Sequence, residues 1–179
     1  MRDAGRKPGM IRFTESIAIK APPNAVWALL SDITRWWLPS NPAHARIEVR
    51  AEEQAIDVGT EIAFEERAAG IRARAEGTIT QWIPGVELAW AGTAVYRHLG
   101  FSFPVREGAT WRVERRGETS RLVASVWTQF RPGLRGRLLE WYVRAVLNAV
   151  RRDRAHTRCE LAYLRNAVEE ATYHTAGDG

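Results

Sequence analysis

The sequence predicts an α+β fold in which a curved antiparallel sheet wraps around one long C-terminal helix. One strand-like segment precedes a short helical stretch and six follow it, and turn residues such as Gly59, Pro84-Gly85 and Gly117 separate most of these six. Connections this short favour antiparallel neighbours. A helical pattern then runs from about residue 134 to 170. So long a helix in a chain of 179 residues needs a large apolar partner, and the sheet is the one candidate.

The composition is that of a globular protein, with 45% apolar and 26% charged residues. We expect one domain over residues 10–170, with flexible tails at 1–9 and 171–179. The N-terminal stretch does not resemble a signal peptide, and no apolar run approaches the roughly 20 residues that span a membrane. A cytoplasmic location is therefore expected. Cys159 is the one cysteine, which excludes an internal disulfide and a cysteine metal cluster.

An apolar alternation predicts the first strand over residues 11–20. Its apolar side carries Ile11, Phe13, Ile17 and Ile19. Pro22 and Pro23 end this strand, and a proline or Asn24 opens a helix. The helix is short and has apolar residues at helical spacing, namely Val26, Leu29, Leu30 and Ile33. The segment TRWWLPSNP that follows either adds another turn or leaves the helix.

Six further strands are predicted before the long helix. They cover roughly residues 45–55, 58–67, 71–83, 86–96, 103–116 and 119–130. The stretch AGTAVYRHLGFSFP is irregular, and its strand ends are not defined by the pattern. The final helix is predicted over 134–170, and a break near Asn148 or Arg152 is compatible with its sequence.

The long helix is rich in arginine, with nine arginines against Glu140, Asp153 and Glu160 between residues 131 and 165. These arginines form either a solvated face or a docking surface for an acidic partner. An acidic carrier protein and an anionic membrane are the candidate partners. A nucleic acid is disfavoured because no binding motif or basic-aromatic stripe accompanies the charge.

Two stretches, ESIAIKAPPNAVWALLSDITRWW and RLVASVWTQFRPGLRGRLLEWYV, resemble the START-like, helix-grip superfamily often called SRPBCC. The N-terminal stretch looks like the family's first strand, Ala-Pro turn, Val-Trp helix and Asp-x-x-x-Trp ending. The C-terminal stretch is similar to its last strand and long helix, and GTITQWIPGVELAW resembles its middle hairpin. The resemblance covers about residues 10–170. It implies a seven-stranded sheet, two short helices after the first strand, and a deep apolar cavity. This superfamily shares a cavity rather than one chemistry.

Eight tryptophans suggest walls for such a cavity. Each is a candidate core residue, but so many large rings do not fit inside a sheet curved around one helix unless some line a pocket. The candidate walls are Trp82, Trp90, Trp111 and Trp141, with Tyr142 and Asn148 on the helix. An indole N–H there would orient a ligand carbonyl or hydroxyl. By the family spacing from Asp32, Trp36 packs inward, and Trp37 faces the cavity mouth or solvent.

Strand 71–83 has two distinct sides. One carries the small apolar residues Ile71, Ala73, Ala75, Gly77 and Ile79. The other carries Arg72, Arg74, Glu76, Thr78, Thr80 and Trp82. Charges on a sheet most often face solvent. If this polar side faces inward instead, Arg74, Glu76 and Thr78 form a patch that polarises a carbonyl or donates a proton. Polyketide-aromatising relatives place an arginine and a serine here, a set that does not line up in this chain.

The four histidines are widely spaced and show no pattern such as H-E-x-x-H, so neither a metal site nor a cofactor is predicted. His98 lies beside Tyr96, near the expected cavity mouth. It is either an exposed loop histidine or a general acid/base. His156 lies on the helix stripe and is more typical of a core histidine than of a catalyst.

The leading functional hypothesis is binding of a hydrophobic small molecule, such as a polyketide-like biosynthetic intermediate. No G-x-S-x-G, phosphate loop or dinucleotide fingerprint is present in the sequence. Catalysis would therefore be cyclisation or dehydration by positioning and acid/base help. The alternatives are a lipid or isoprenoid transport module and a protein-interaction domain.

Overall fold

The computed structural model describes residues 9–50, 56–68 and 71–177. The strands are β1 (Met10–Ile19), β2 (His44–Arg50), β3 (Glu61–Ala68), β4 (Ile71–Ile83), β5 (Glu87–His98), β6 (Phe101–Arg116) and β7 (Thr119–Gln129). The helices are α1 (Pro23–Leu30), α2 (Ile33–Ser40), α3 (Leu134–Trp141) and α4 (Ala149–Gly177), and a π-helical turn covers Tyr142–Val146. Among the described residues, no helix is both long and apolar enough to cross a bilayer.

All seven strands form one antiparallel sheet in the order β1-β7-β6-β5-β4-β3-β2. Strands β2 to β7 pair with their chain neighbours, as short turns require. The segment α1–α2 carries the chain from one sheet edge to the other, and β1 pairs with β7. Helix α4 packs against the sheet and both short helices. The predicted fold class is confirmed.

The stretch AGTAVYRHLGFSFP, whose strand ends the sequence pattern does not define, forms a regular hairpin of β5 and β6. Strand β5 continues to His98, β6 begins at Phe101, and those two residues face each other. The turn residues Leu99 and Gly100 have φ values of 48° and 81°. Two positive φ angles are typical of a type I′ turn, whose twist matches that of the strands. Leucine is uncommon in this conformation, which explains why turn chemistry alone did not locate the hairpin.

The long helical segment is interrupted at the position that the sequence allowed. The π-helical turn follows α3, and Asn148 then has a φ of 51° before α4 begins. Asparagine tolerates the left-handed region better than most residues. The prediction of one helix over residues 134–170 is therefore corrected, and the break lies at Asn148, one of the two positions that the sequence left open. At its other end α4 continues to Gly177, well into the stretch predicted as the C-terminal tail, whereas residues 1–8 of the N-terminal tail lie outside the described residues.

The two sides of β4 face in opposite directions, as their chemistry predicts. The apolar residues Ile71, Ala73, Ala75 and Ile79 are buried against the core. Arg74 and Glu76 lie on the outer face, where the Arg74 Nε–H donates to Glu76 Oε1 over 2.9 Å. The solvent-facing alternative for the charged side is the correct one.

Candidate functional site

A cavity of about 110 Å³ lies between the inner face of the sheet, α2 and α4. Most of its wall is apolar, and large contributors are Trp37, Phe64, Trp90, Trp111 and Val126. A second set of wall residues carries ionisable or hydroxyl groups, namely Glu66, Tyr96, Glu107, Thr128, Asp153, His156, Thr157 and Glu160. The cavity therefore combines apolar contact area with a polar region. A smaller cavity of about 30 Å³ adjoins it and shares Tyr96 and Asp153.

The Trp90 indole is an unusual part of the wall. The ring is 4% exposed and packs against Phe64 at a centroid distance of 4.7 Å. Its Nε1–H is buried and has no acceptor among the described residues. A buried donor without an acceptor costs roughly 1–3 kcal/mol. A ligand oxygen that reaches this N–H would remove this cost.

Half-buried Tyr96 and buried Glu107 form a pair on neighbouring strands. The Tyr96 hydroxyl donates to Glu107 Oε2 over 2.7 Å. Burial raises the pKa of Glu107 to about 7, although the Tyr96 hydrogen bond opposes that rise. Burial and the nearby Glu107 charge raise the pKa of Tyr96 well above its usual value. Near neutral pH, Glu107 therefore exists in both protonation states, as a general acid/base requires.

A second polar cluster comprises His44 from β2, Glu66 from β3, and His156 and Glu160 from α4. The His44 and His156 Nε2 atoms are 2.9 Å apart, and each approaches Glu160 Oε1, at 3.1 and 3.2 Å. Glu66 Oε2 lies 3.5 Å from both Nε2 atoms. The residues come together because α4 crosses the β2–β3 edge of the sheet, where His156 and Glu160 occupy one face of the helix.

Burial and mutual contact shift the pKa values in this cluster. Burial raises the pKa of Glu66 to about 8, against the attraction of His156. Burial alone would lower the pKa of His156, but the Glu160 hydrogen bond and the Glu66 charge raise it to about 9. Burial would raise the pKa of Glu160, but hydrogen bonds from His156 and His44 lower it overall.

Four sequence-predicted binding residues line the cavity, namely Trp37, Trp90, Tyr96 and Trp111. Trp37 is 5% exposed, so it faces the cavity and not solvent. Trp36 is completely buried. The resemblance implied this inward packing of Trp36.

The residues predicted as catalytic lie away from this cavity. Arg74 and Glu76 belong to the outer face of β4 because their positions alternate with buried alanines. His98 is at the end of β5, and its ring is 6.2 Å from that of Tyr142. These placements correct the choice of Arg74, Glu76 and His98 as catalytic candidates, since none of the three lines the cavity.

The remaining predicted binding residues also lie outside the cavity wall. Thr78 borders a depression beside Glu48 and Glu61, and the Thr80 hydroxyl donates to the Ala89 carbonyl over 3.4 Å. The Trp82 ring packs edge-on against Trp27 at 5.3 Å. Trp141 is 61% exposed on α3, Tyr142 begins the π-helical turn, and exposed Asn148 forms the helix break.

The acidic wall residues were missed, although the sequence contains a signal for two of them. Glu66 continues the inward alternation of Ile62 and Phe64, and Glu107 interrupts the inward alternation of Val105 and Trp111. A carboxylate on an apolar strand face indicates a buried acid. His156 and Glu160 have the spacing of helical neighbours, which is also a readable signal. His44 is different, because a register shift between His44 and Arg46 changes the alternation of β2.

The cavity and the sheet that closes around α4 define a helix-grip protein of the START-like, SRPBCC type. The chain belongs to the family of polyketide cyclase/dehydrase and lipid transport proteins, whose model matches residues 10–169. No curated protein matches the chain.

Solved structures show the same fold at low sequence identity. The ZhuI aromatase/cyclase from Streptomyces sp. R1128 is 16% identical with a TM-score of 0.65, over 91% of this chain and 96% of that one. The protein TTHA0849 from Thermus thermophilus is 18% identical with a TM-score of 0.59, over 90% and 99%. A norcoclaurine synthase from Thalictrum flavum is 11% identical with a TM-score of 0.60, over 91% and 96%.

Proposed function

We propose that this protein binds a hydrophobic small molecule that carries a carbonyl or hydroxyl oxygen. The observation that carries this proposal is the buried Trp90 N–H, which has no acceptor among the described residues and lies in a largely apolar wall. Aromatic rings supply the contact area, and the indole selects an oxygen of the ligand. We expect the ligand to be a biosynthetic intermediate of polyketide type.

Binding is tested with an apolar fluorescent probe, 1-anilinonaphthalene-8-sulfonate, and by native mass spectrometry of copurified molecules. Trp90→Phe keeps the ring and removes the N–H, so a ligand with a carbonyl should bind roughly tenfold more weakly. Trp82→Phe is the matched control, because that ring lies outside the cavity. Ala124→Phe fills the cavity and should abolish probe binding. Unchanged binding by Ala124→Phe would place the ligand elsewhere.

The enzymatic form of the proposal is a cyclase or dehydratase in which Glu107 transfers protons and Tyr96 orients it. The Tyr96 hydrogen bond and the pKa of about 7 support this role for Glu107. One structural neighbour is an aromatase/cyclase, which makes a poly-β-ketone the natural substrate to try. Its thioester with N-acetylcysteamine serves as the assay substrate.

Glu107→Gln should lose turnover of this thioester at least 100-fold and still bind the apolar probe. Glu76→Gln is the matched control, a glutamate on the outer face of the same sheet. Equal turnover in the two variants would remove Glu107 from the chemistry.

The alternative functions predict different results. Copurified lipid or isoprenoid with no turnover would favour the transport alternative. A cavity that excludes every ligand would favour a protein-interaction domain.

We propose α3 and its flanks as a docking surface for an anionic membrane. Exposed Leu134, Leu138 and Trp141 lie there among the exposed arginines Arg135 and Arg137. Apolar side chains beside arginines are typical of interfacial helices. The docking would take place in the cytoplasm, which stays a prediction.

Cosedimentation with phosphatidylserine vesicles, compared with phosphatidylcholine vesicles, tests this surface. Arg135→Glu with Arg137→Glu should abolish binding to the anionic vesicles, and Arg116→Glu, on an exposed strand end, should not. Failure to bind them would leave an acidic carrier protein as the partner to test.

A further inference from the structure

Four potential metal-ligating atoms converge at one end of the cavity wall. They are the Nε2 atoms of His44 and His156, Glu160 Oε1 and Glu66 Oε2. The distances between them that involve a histidine nitrogen range from 2.9 to 3.5 Å. They come from two strands and a helix, which is why histidine spacing in the sequence does not predict the cluster.

Hydrogen bonding fixes the tautomer of His44. Its Nδ1 contacts the carbonyl oxygen of Trp37, which can only accept. Nδ1 therefore carries the proton, and in the neutral ring Nε2 presents its lone pair to the cluster. The Trp37 ring also stacks on this imidazole at 3.7 Å, with an interplanar angle of 4°. A histidine whose other nitrogen is held by a backbone carbonyl has the arrangement typical of a metal ligand.

Each of the four atoms presents a lone pair once it has lost its proton, because an imidazole nitrogen and a carboxylate oxygen are both acceptors in that state. In the absence of an ion, protons shared between these atoms hold the imidazoles and carboxylates together. A divalent cation at the centre displaces those protons and contacts all four atoms at once.

The geometry also fits such an ion. Zinc ligands in proteins are tetrahedral at about 2.0–2.1 Å, which places neighbouring ligand atoms about 3.3 Å apart. The five distances in the cluster lie on both sides of that value, at 2.9, 3.1, 3.2, 3.5 and 3.5 Å. Two imidazoles and two carboxylates suit Zn²⁺ and its first-row neighbours.

We propose that His44, His156, Glu160 and Glu66 bind one divalent transition-metal ion of the zinc type. Glu66, His156 and Glu160 line the cavity, so the ion borders the space in which a ligand would lie. This site goes beyond the proposed function, and an ion binds there whether or not the cavity holds an organic molecule.

The test is a Co²⁺ titration of untagged protein that has been treated with a chelator and freed of it. We expect one equivalent to bind and to produce the strong visible absorption of four-coordinate Co²⁺, and we expect Zn²⁺ to displace it. His44→Gln and Glu160→Gln should each weaken binding roughly 100-fold or more. His98→Gln is the control, because this histidine lies outside the cluster, and its affinity should equal that of the wild type.

Two results would overturn the site. One is no saturable binding of Co²⁺ or Zn²⁺ by the folded wild-type protein. The other is equal affinity in the His44, Glu160 and His98 variants. Thermal melts by circular dichroism establish that each variant folds. If both ligand variants unfold, crystals of wild-type protein soaked in Zn²⁺ decide the question. An anomalous peak within about 2.1 Å of both Nε2 atoms confirms the site, and no peak there refutes it.

Discussion

Trp36 and Trp37 are adjacent in α2, and their rings contact different parts of the molecule. Trp36 is completely buried, packs edge-on against Trp111 at 5.9 Å, and donates its Nε1–H to the Leu30 carbonyl over 3.0 Å. Trp37 stacks on His44 and lines the cavity. The Trp36 ring therefore holds α2 in the core, and the Trp37 ring positions a side chain of the candidate site.

Alanine substitutions should separate these two roles. Trp36→Ala leaves a hole enclosed by core atoms, so the free energy of unfolding should fall by about 3–5 kcal/mol. Trp37→Ala enlarges an existing cavity, so the free energy of unfolding should fall by less than in Trp36→Ala. This substitution should, however, weaken binding of the apolar probe and of Co²⁺. Urea unfolding and the two titrations measure these effects. A larger stability loss in Trp37→Ala than in Trp36→Ala would contradict this assignment.

At the scale of residues, alternation predicts a side chain's direction better than its role. Trp90 and Trp111 are large rings on inward positions, so the sequence identifies them as cavity walls. Glu66 and Glu107 are equally readable as inward carboxylates. The charges on β4 differ from these two, because a strand side that is polar along its whole length indicates solvent. The position of His44 depends on a bulge, which a pattern of single residues does not reveal.

At the scale of elements, two features of the backbone depend on the residue type at individual positions. The first is a pair of facing glycines, Gly77 in β4 and Gly92 in β5. A Cβ on Gly77 would lie 2.2 Å from the Ala91 carbonyl oxygen, and one on Gly92 would lie 2.2 Å from that of Glu76. Glycine is common where a sheet bends sharply or backbones approach closely. The second feature is the helix break at Asn148.

Gly77→Ala should destabilise the protein by about 3 kcal/mol or more, because the new methyl group meets backbone atoms that cannot rotate away. Thr93→Ala is the control. It is an exposed residue beside Gly92 and should change the free energy of unfolding by less than about 0.5 kcal/mol. Urea unfolding followed by circular dichroism measures both. Wild-type stability in Gly77→Ala would show that the two strands can move apart at no cost.

Asn148 permits a second test of backbone conformation. Because its φ is 51°, Asn148→Ala should cost roughly 1 kcal/mol, and Asn148→Gly should be neutral or slightly stabilising. Asn166→Ala, at an exposed position inside α4, should instead increase stability by a few tenths of a kcal/mol, since alanine is the better helix former. In thermal denaturation, the two alanine substitutions should therefore change stability in opposite directions. Equal signs would argue against a left-handed residue at 148.

At the scale of the whole molecule, the order of strands and helices was predictable because each element has a strong local pattern. Antiparallel neighbours follow from short turns, and the crossing from β1 to β2 follows from the two short helices. The polar clusters required tertiary information. Glu107 lies on β6, its partner Tyr96 on β5, and Asp153 on α4, and no short-range pattern links these three.

Burial of Glu107 should make the stability of the whole molecule depend on pH. Its folded pKa is about 7, against an ordinary glutamate pKa of 4.5, so the folded state binds more protons between these pH values. The contribution of Glu107 to stability is therefore fully present below about pH 4.5, and it is lost as the pH rises from there through 7. The full effect is roughly 3 kcal/mol. The groups that face it are Tyr96 on β5, Glu66 on β3 and Asp153 on α4.

Glu107→Gln keeps an acceptor for the Tyr96 hydroxyl and cannot ionise, so its stability should fall less than that of the wild type between pH 5 and pH 8. Urea unfolding across this range, with a chelator present, measures the difference between the two curves. Glu76→Gln, on the outer face, should parallel the wild type. Parallel curves for Glu107→Gln and the wild type would show that Glu107 is hydrated in the folded protein. The acid/base role proposed for it would then lose its physical basis, because that role requires a carboxyl group whose proton is held by burial.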